Sequence, residues 1–410
     1  MLYTALRVLA RCWPALLAWF LAGWAVRALI IHGAGYLLNI SEDIGLLLLP
    51  VAILALLASY VGMFLSIRRE LPHLGRADDV GPGEAPPTRA RQWSDTLLAA
   101  ILPFFLLYVA WNLIRDDVID LYFSSTTQDN FFDEEVSDGS TFVTSIILVV
   151  VAFVGRWLLG RFSARLPRWT TAIATYFEAV WVLVALLIVR DLLAPVPHWL
   201  ATRRMFAWAV DAWAAIRADF AWLGTLGDAV GWTIAQFGTL VALPLAWLAF
   251  ASIIYFGVMP RSSRPGPASM RAASERWERM PVWMRRLGTA VGSGFLDRWR
   301  PVALAARLIW RSGPVALGTY LLAFAVLTAG GEWLRFLIYR LLGPHELSWW
   351  FGASDGVEWA IDTVITVLQV ALVAAAFDHA LRSDAAEELL DDAGDAVSAA
   401  AAPAEAPRSS

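Results

Sequence analysis

Polar side chains inside long apolar runs are the residues of this sequence that are best suited to chemistry. Glu178 lies nine residues after Trp169, within an apolar run. It is therefore about 13 Å below the membrane boundary that Trp169 marks. An ionised side chain at such a depth costs about 2.5–3.5 kcal/mol. A carboxyl group kept there either binds an ion or solute or joins neighbouring helices through hydrogen bonds.

We expect Glu178 to face the bundle interior and to have a polar or basic partner from another span. Gln369 matches its depth best. Arg156 lies closer to the cytoplasmic boundary and Arg27 closer to the outer one. The sequence therefore predicts a neutral, protonated Glu178 rather than a salt bridge.

A polar stripe occupies one face of the last apolar run. Its members, at spacings of four, four and three residues, are Glu358, Asp362, Thr366 and Gln369. Such spacing places side chains on one side of a helix. The stripe either lines a polar pathway or outer vestibule, together with Glu178, or holds helices together by hydrogen bonds. Weaker candidates of the same kind are Arg27, Asn112 and Gln236.

One motif resembles the surroundings of a catalytic serine. The segment Gly352–Gly356 matches the Gly-x-Ser-x-Gly pattern, which requires an elbow between a strand and a helix. His379 lies 25 residues after Ser354, about 37 Å away along one helix. We therefore expect a turn here and no catalytic residue.

Several ligand classes are disfavoured by the residue types. The basic residues are all arginine, so there is no lysine for a Schiff base or a phosphate loop. Cys12 is the single cysteine, and the five histidines do not pair at helical spacing. The sequence predicts no metal, no cofactor and no nucleic-acid partner.

The composition indicates a protein that lies in a membrane. Of 410 residues, 59% are hydrophobic and 17% charged, whereas soluble domains carry about 25% charged residues. We predict an all-α, polytopic transmembrane helix bundle over residues 1–377, followed by an acidic, partly disordered tail over 378–410. About eight apolar runs approach the ~20 residues that a span needs, arranged as four hairpins: Trp13–Ile31, Ile44–Ile67, Thr96–Ile114, Phe142–Leu159, Trp169–Val189, Trp232–Met259, Gly313–Ala329 and Val357–Phe377.

The arginines predict the orientation. With this alternation, 24 arginines fall on one side and 8 on the other, and the richer side should be cytoplasmic. Both termini are then cytoplasmic, in a bacterial inner membrane. The acidic segment Arg115–Thr141 is expected to be a solvated outer loop, with weak capture of a divalent cation as the alternative.

Two tryptophan-rich segments are too polar to span. We expect His198–Gly231 to form amphipathic helices in the outer interface. The segment Arg271–Arg311 combines arginine and tryptophan and suits the anionic inner leaflet.

Two functions of different classes fit these features. The first is a transporter or channel for a small solute or ion. The second is a non-catalytic membrane scaffold or assembly subunit that binds lipid, partner proteins or a second copy of itself. No enzymatic activity is expected.

Overall fold

Helices account for the regular secondary structure of the described residues, among which no strand occurs. The structure, a computed structural model, describes residues 1–38, 42–74, 89–125, 142–162, 170–205, 221–258 and 313–401, together with 208, 213, 214 and 217. The all-α fold class is confirmed for these residues.

Eleven α-helices are found in the described parts of the chain. They are α1 (Leu2–Leu38), α2 (Glu42–Ile67), α3 (Arg89–Ala110), α4 (Leu113–Ser125), α5 (Phe142–Phe162), α6 (Thr170–Leu193), α7 (Pro195–Ala201), α8 (Ala221–Phe237), α9 (Leu243–Val258), α10 (Pro314–Leu342) and α11 (Leu347–Ala401). A 3-10 turn (Arg68–Glu70) follows α2, and a π-helix (Gly238–Ala242) joins α8 to α9.

Several of these helices can cross a membrane. Within the described residues, six apolar stretches are long enough: Leu2–Leu38, Gly45–Glu70, Ala172–Ala201, Gly224–Phe256, Pro314–Leu342 and Leu347–Arg382. The bent pair α3–α4 raises the number to seven if it counts as one span, and α5 contributes a shorter apolar stretch, Val149–Leu159. A membrane-embedded helical protein is therefore supported, and the count of eight stays a prediction.

The third predicted span does not run straight to Ile114. Helix α3 ends at Ala110, and the chain turns by 80° before α4. Asn112 has a φ of 57° at the turn, in the left-handed region that asparagine tolerates better than most residues.

The expectation of a solvated acidic loop is wrong for its first part. Residues 113–125 form α4, and Leu121 belongs to a buried cluster with Ile31 of α1 and Leu49 of α2. The helix packs because Ile114, Val118 and Leu121 lie on one face. Residues 126–141 lie outside the described residues.

The last helix extends beyond the predicted end of the helix bundle. Helix α11 continues to Ala401, well beyond the predicted end of the last span at Phe377. Residues 402–410 and the arginine-rich segment Arg271–Arg311 lie outside the described residues. Of the outer segment His198–Gly231, the described helical parts include the end of α7 and the beginning of α8.

The chain divides into two compact units. Unit 1 comprises Met1–Trp13, Phe64–Thr88 and Trp247–Ser410, and unit 2 comprises Pro14–Met63 and Arg89–Ala246. Aromatic rings fill the core of unit 1, where Tyr255 lies 5.8 Å from Phe64 and 5.1 Å from Phe377 between ring centroids. In unit 2, the ring centroid of Phe104 lies 5.9 Å from that of Tyr60 and 5.7 Å from that of Tyr108.

Glycines allow α1 and α2 to approach closely within unit 2. A Cβ atom on Gly23 would collide with Ser59, and one on Gly62 would collide with the ring of Trp19. The Ser59 hydroxyl donates to the Trp19 carbonyl at 2.8 Å. Close backbone contact of this kind, with small residues and a hydroxyl hydrogen bond, is how helices associate in lipid.

Candidate functional site

Glu178 is buried and forms an ion pair with Arg156. The Glu178 residue is 4% exposed, and its Oε2 pairs with Nε of Arg156. Arg156 precedes the end of α5 by six residues and Glu178 follows the start of α6 by eight. These positions are about 9 Å and 12 Å along the helices from the hairpin connection, so the two groups lie at nearly the same level.

The expectation that Glu178 is buried with a polar or basic partner from another helix is confirmed, whereas Gln369 as that partner and the absence of a salt bridge were wrong. A basic side chain, that of Arg156, pairs with the carboxyl group. The long arginine side chain covers the small difference in depth, and its Cζ lies 5.7 Å from the ring centroid of Trp181. The pair could have been predicted by counting residues from the hairpin connection back along α5 to Arg156 and forward along α6 to Glu178.

The polar stripe of α11 meets a second polar stripe on α10 within unit 1. Tyr339 donates to Glu358 at 3.1 Å, Arg335 to Asp362 at 3.4 Å, and Gln369 to Thr328 at 3.3 Å. Residue numbers rise along α10 by the same steps as they fall along α11. The stripe is therefore a ladder of contacts between two antiparallel helices, and Thr366 is half-buried within it.

The ladder also keeps carboxylates on the molecular surface. The Asp362 side chain is 59% exposed, and Glu332, which pairs with Arg335 at 2.7 Å, is exposed as well. At the inner part of the stripe, Gln369 joins α11 to Thr328 of α10. The outer part retains charged groups that are costly to place against lipid.

Arg27, a weaker candidate in the sequence, belongs to a cluster of ionisable groups in unit 2 that was not predicted. Arg27 on α1 donates from Nε to Oδ1 of Asp117 at 3.0 Å and from Nη2 to Oδ2 of Asp120 at 2.9 Å, both acceptors being on α4. Its Nη2 also contacts Oδ1 of Asp117, and the hydroxyl of Tyr108 on α3 donates to Oδ2 of the same carboxylate. Asp117 is 1% exposed. Three helices therefore converge on one buried carboxylate.

The bend between α3 and α4 creates this cluster. Tyr108 and Asp117 are nine residues apart, which is about 13 Å along a straight helix. The 80° turn at Trp111–Asn112 brings the hydroxyl into contact with the carboxylate. The sequence held one usable signal, since Asp117 lies on the apolar face formed by Ile114, Val118 and Leu121.

A second buried carboxylate, also unpredicted, lies in unit 1. Asp378 of α11 accepts from the backbone N–H groups of His73 and Leu74 at 2.9 Å and 3.0 Å. Its other oxygen lies 3.0 Å from Nδ1 of His73. The carboxylate thus fixes the chain that follows α2 to the last helix.

Catalytic and metal chemistry find little support in the described residues. The Gly352–Gly356 segment lies inside α11, so the expected turn is wrong, and the Ser354 hydroxyl is 3.5 Å from Asp355. Within the described part of the chain, no group of three or more histidine, cysteine, aspartate or glutamate side chains is arranged to hold a metal ion. His345 stacks on Trp349, with ring centroids 4.1 Å apart.

The chain was compared with known protein families, curated proteins and solved structures. No protein-family model, curated protein or solved structure matches the chain.

Proposed function

We propose that this chain is a transporter or channel that moves a small solute or ion across a bacterial inner membrane. The observation that carries the proposal is the buried Asp117 at the break between α3 and α4, held by Arg27 and Tyr108. Interrupted helices with ionisable groups at the interruption are typical of substrate and ion sites in membrane transporters. A break that only joined helices would not require three ionisable groups.

The full proposal places eight spans in the membrane with both termini in the cytoplasm. Arg11 pairs with Glu70 at 2.8 Å and His73 with Asp378 at 3.0 Å, and all four residues belong to the predicted cytoplasmic side. His73 follows the second span and Asp378 follows the last. Because His73 and Asp378 are in contact, they must lie on the same side of the membrane. This supports an even number of membrane crossings between the two residues, and therefore an even total number of spans.

The proposed pathway also includes Glu178 and the polar stripe of α11. Glu178 and the stripe Glu358, Asp362, Thr366 and Gln369 are proposed to border the polar pathway. The exposed carboxylate of Asp362 supports this for the outer half of the stripe. Glu178 is proposed to act there together with Arg156, with which it forms an ion pair.

The transport proposal is tested in vesicles that contain the purified full chain. Fluxes of H⁺, Na⁺, K⁺ and Cl⁻ are followed with entrapped ion-sensitive dyes after a concentration step. We expect at least one flux above that of protein-free vesicles, and a tenfold or larger loss with Asp117→Asn. Asp116→Asn is the matched control, because Asp116 is exposed on the same helix. Unaltered flux in Asp117→Asn would remove the cluster from the pathway, and absence of every flux would count against transport.

A second candidate function, a scaffold or assembly subunit, is favoured by the surface of α10. In its apolar window only 11% of the residues are buried within the chain, and Trp333, Phe336 and Leu341 are exposed. Lipid, a protein partner or a second copy would cover this face. Native mass spectrometry of the full chain from lipid nanodiscs tests it. A stable dimer that Trp333→Ala dissociates would favour the scaffold, and a monomer with measurable flux would exclude self-assembly as the main role.

A further inference from the structure

We propose that Asp117 and Asp120 together bind one exchangeable proton, which is the ion that the pathway carries or is coupled to. The second part of this statement rests on the proposed transport function. The first part concerns proton binding alone and stands on the geometry of the cluster.

One guanidinium group serves two carboxylates. Nη2 of Arg27 contacts Oδ1 of Asp117 and Oδ2 of Asp120. With both carboxyl groups ionised, the cluster carries a net charge of −1 in an apolar surrounding made partly by Ile114 and Leu121. A single proton makes the cluster neutral, which lowers the cost of keeping it in the membrane. Because the carboxylates share one cation, that proton belongs to the pair.

Among the described residues, the other titratable groups close to the pair are tyrosines, which are neutral at ordinary pH. Tyr108 from α3 contacts Asp117, and Tyr60 from α2 lies close to Tyr108. A tyrosine hydroxyl donates to an ionised carboxylate and accepts from a protonated one. Tyr108 therefore satisfies Asp117 in both states, and neither state leaves a buried polar group without a partner.

The two carboxylates differ in access to the surroundings. The Asp120 side chain is 53% exposed, whereas Asp117 is enclosed. Asp120 is thus the group that exchanges a proton with water on the outer side, and Asp117 is the group that holds it inside the protein. When the proton is on Asp117, Arg27 keeps Asp120 as its ionised partner. No bond other than the O–H bond of the carboxyl group is made or broken.

Infrared difference spectroscopy of the full chain in phosphatidylcholine nanodiscs tests this inference. The readout is the C=O stretching band of a protonated carboxyl group, followed through a pH titration. We expect a band in the wild-type protein that disappears in both Asp117→Asn and Asp120→Asn. Each substitution leaves one carboxylate opposite Arg27, so the remaining pair is already neutral. Asp116→Asn should keep the band.

Loss of the band in only one of the two variants would mean an independent carboxyl group and would overturn the shared proton, as would a wild-type protein without the band. Asp120 is exposed, so Asp120→Asn folds even if the enclosed Asp117 does not tolerate replacement. Thermal unfolding of each variant verifies this. An intact band in a protein without any ion flux would refute transport and leave the proton site standing.

Discussion

At the scale of single residues, we predict that the loss of the Arg156–Glu178 ion pair destabilises the protein. Glu178→Gln leaves the Arg156 charge without its carboxylate. Breaking a fully buried pair costs about 3–5 kcal/mol. The Arg156 side chain is 34% exposed, so the pair is not fully buried, and we expect a smaller loss of about 1–3 kcal/mol. Thermal unfolding in detergent, followed by tryptophan fluorescence, measures the loss.

A second substitution and an exposed pair provide the controls. The double variant Arg156→Gln with Glu178→Gln should lose less stability than the sum of the two single variants, because neither charge is then left alone. Asp191→Asn, which removes an exposed pair with Arg190, should change stability by less than about 1 kcal/mol. Additive losses in the double variant would contradict a direct interaction.

At this scale the sequence allowed part of each site to be predicted. The burial of Glu178 followed from its position in an apolar run, and its need for a partner followed from the cost of a charge in lipid. The identity of the partner could not be predicted, because the depth of each residue in the membrane was counted along the helix backbone. The long side chain of Arg156 reaches a carboxyl group at a different depth from its own backbone. The role of Asp378 could not be predicted, because its hydrogen-bond donors include the backbone N–H groups of His73 and Leu74. Every residue other than proline has such a group, so the sequence gives no signal for this contact.

The break between α3 and α4 gives a prediction at the scale of elements. Asn112 has a positive φ, where a β-branched side chain is strained. Asn112→Val should destabilise the protein by about 1–2 kcal/mol. Asn112→Gly should change stability by less than about 0.5 kcal/mol, since glycine adopts this conformation freely. Equal stability of the two variants in thermal unfolding would mean that the chain does not need the left-handed turn.

The contact between α1 and α2 gives a second prediction, with its control on the same helix. Gly23→Ala places a methyl group against Ser59, and overpacking of this kind costs about 1–3 kcal/mol. Gly33→Ala meets no atom within 4 Å and should preserve or slightly raise stability. Both are measured by thermal unfolding. A tolerated Gly23→Ala would show that the helices separate without cost.

Helices were easier to predict than their interruptions. Long apolar runs indicate spans by length alone, and each of the eight predicted runs overlaps a helix of the structure. The break at Asn112 lacks proline and glycine, the usual local signals. Acidic residues led to a loop being predicted where α4 lies, although Ile114, Val118 and Leu121 already marked an apolar face.

For the whole molecule, the testable statement is the topology. Reporter fusions after Gly83, Asn130, Gly266 and the C-terminus should give cytoplasmic, outer, cytoplasmic and cytoplasmic signals. Arginine asymmetry is the physical reason, since positive residues are retained on the cytoplasmic side. A fusion before Leu2 serves as the control for the other terminus. An outer signal at the C-terminus would contradict the even number of crossings that the His73–Asp378 contact supports.

The π-helix at Gly238–Ala242 has a consequence for how this chain tolerates changes in length. A π-turn closes with one more residue than an α-turn, so this turn accommodates an additional residue without interrupting the helix from Ala221 to Val258. Removal of one residue at the start of α9 would rotate the residues after it by about 100° around the helix axis. Removal of Leu240 would instead convert the π-turn to an α-turn and leave the orientation of α9 unchanged. Among variants of this protein, single-residue deletions between Ala221 and Val258 should therefore survive selection at this turn and be lost on either side of it.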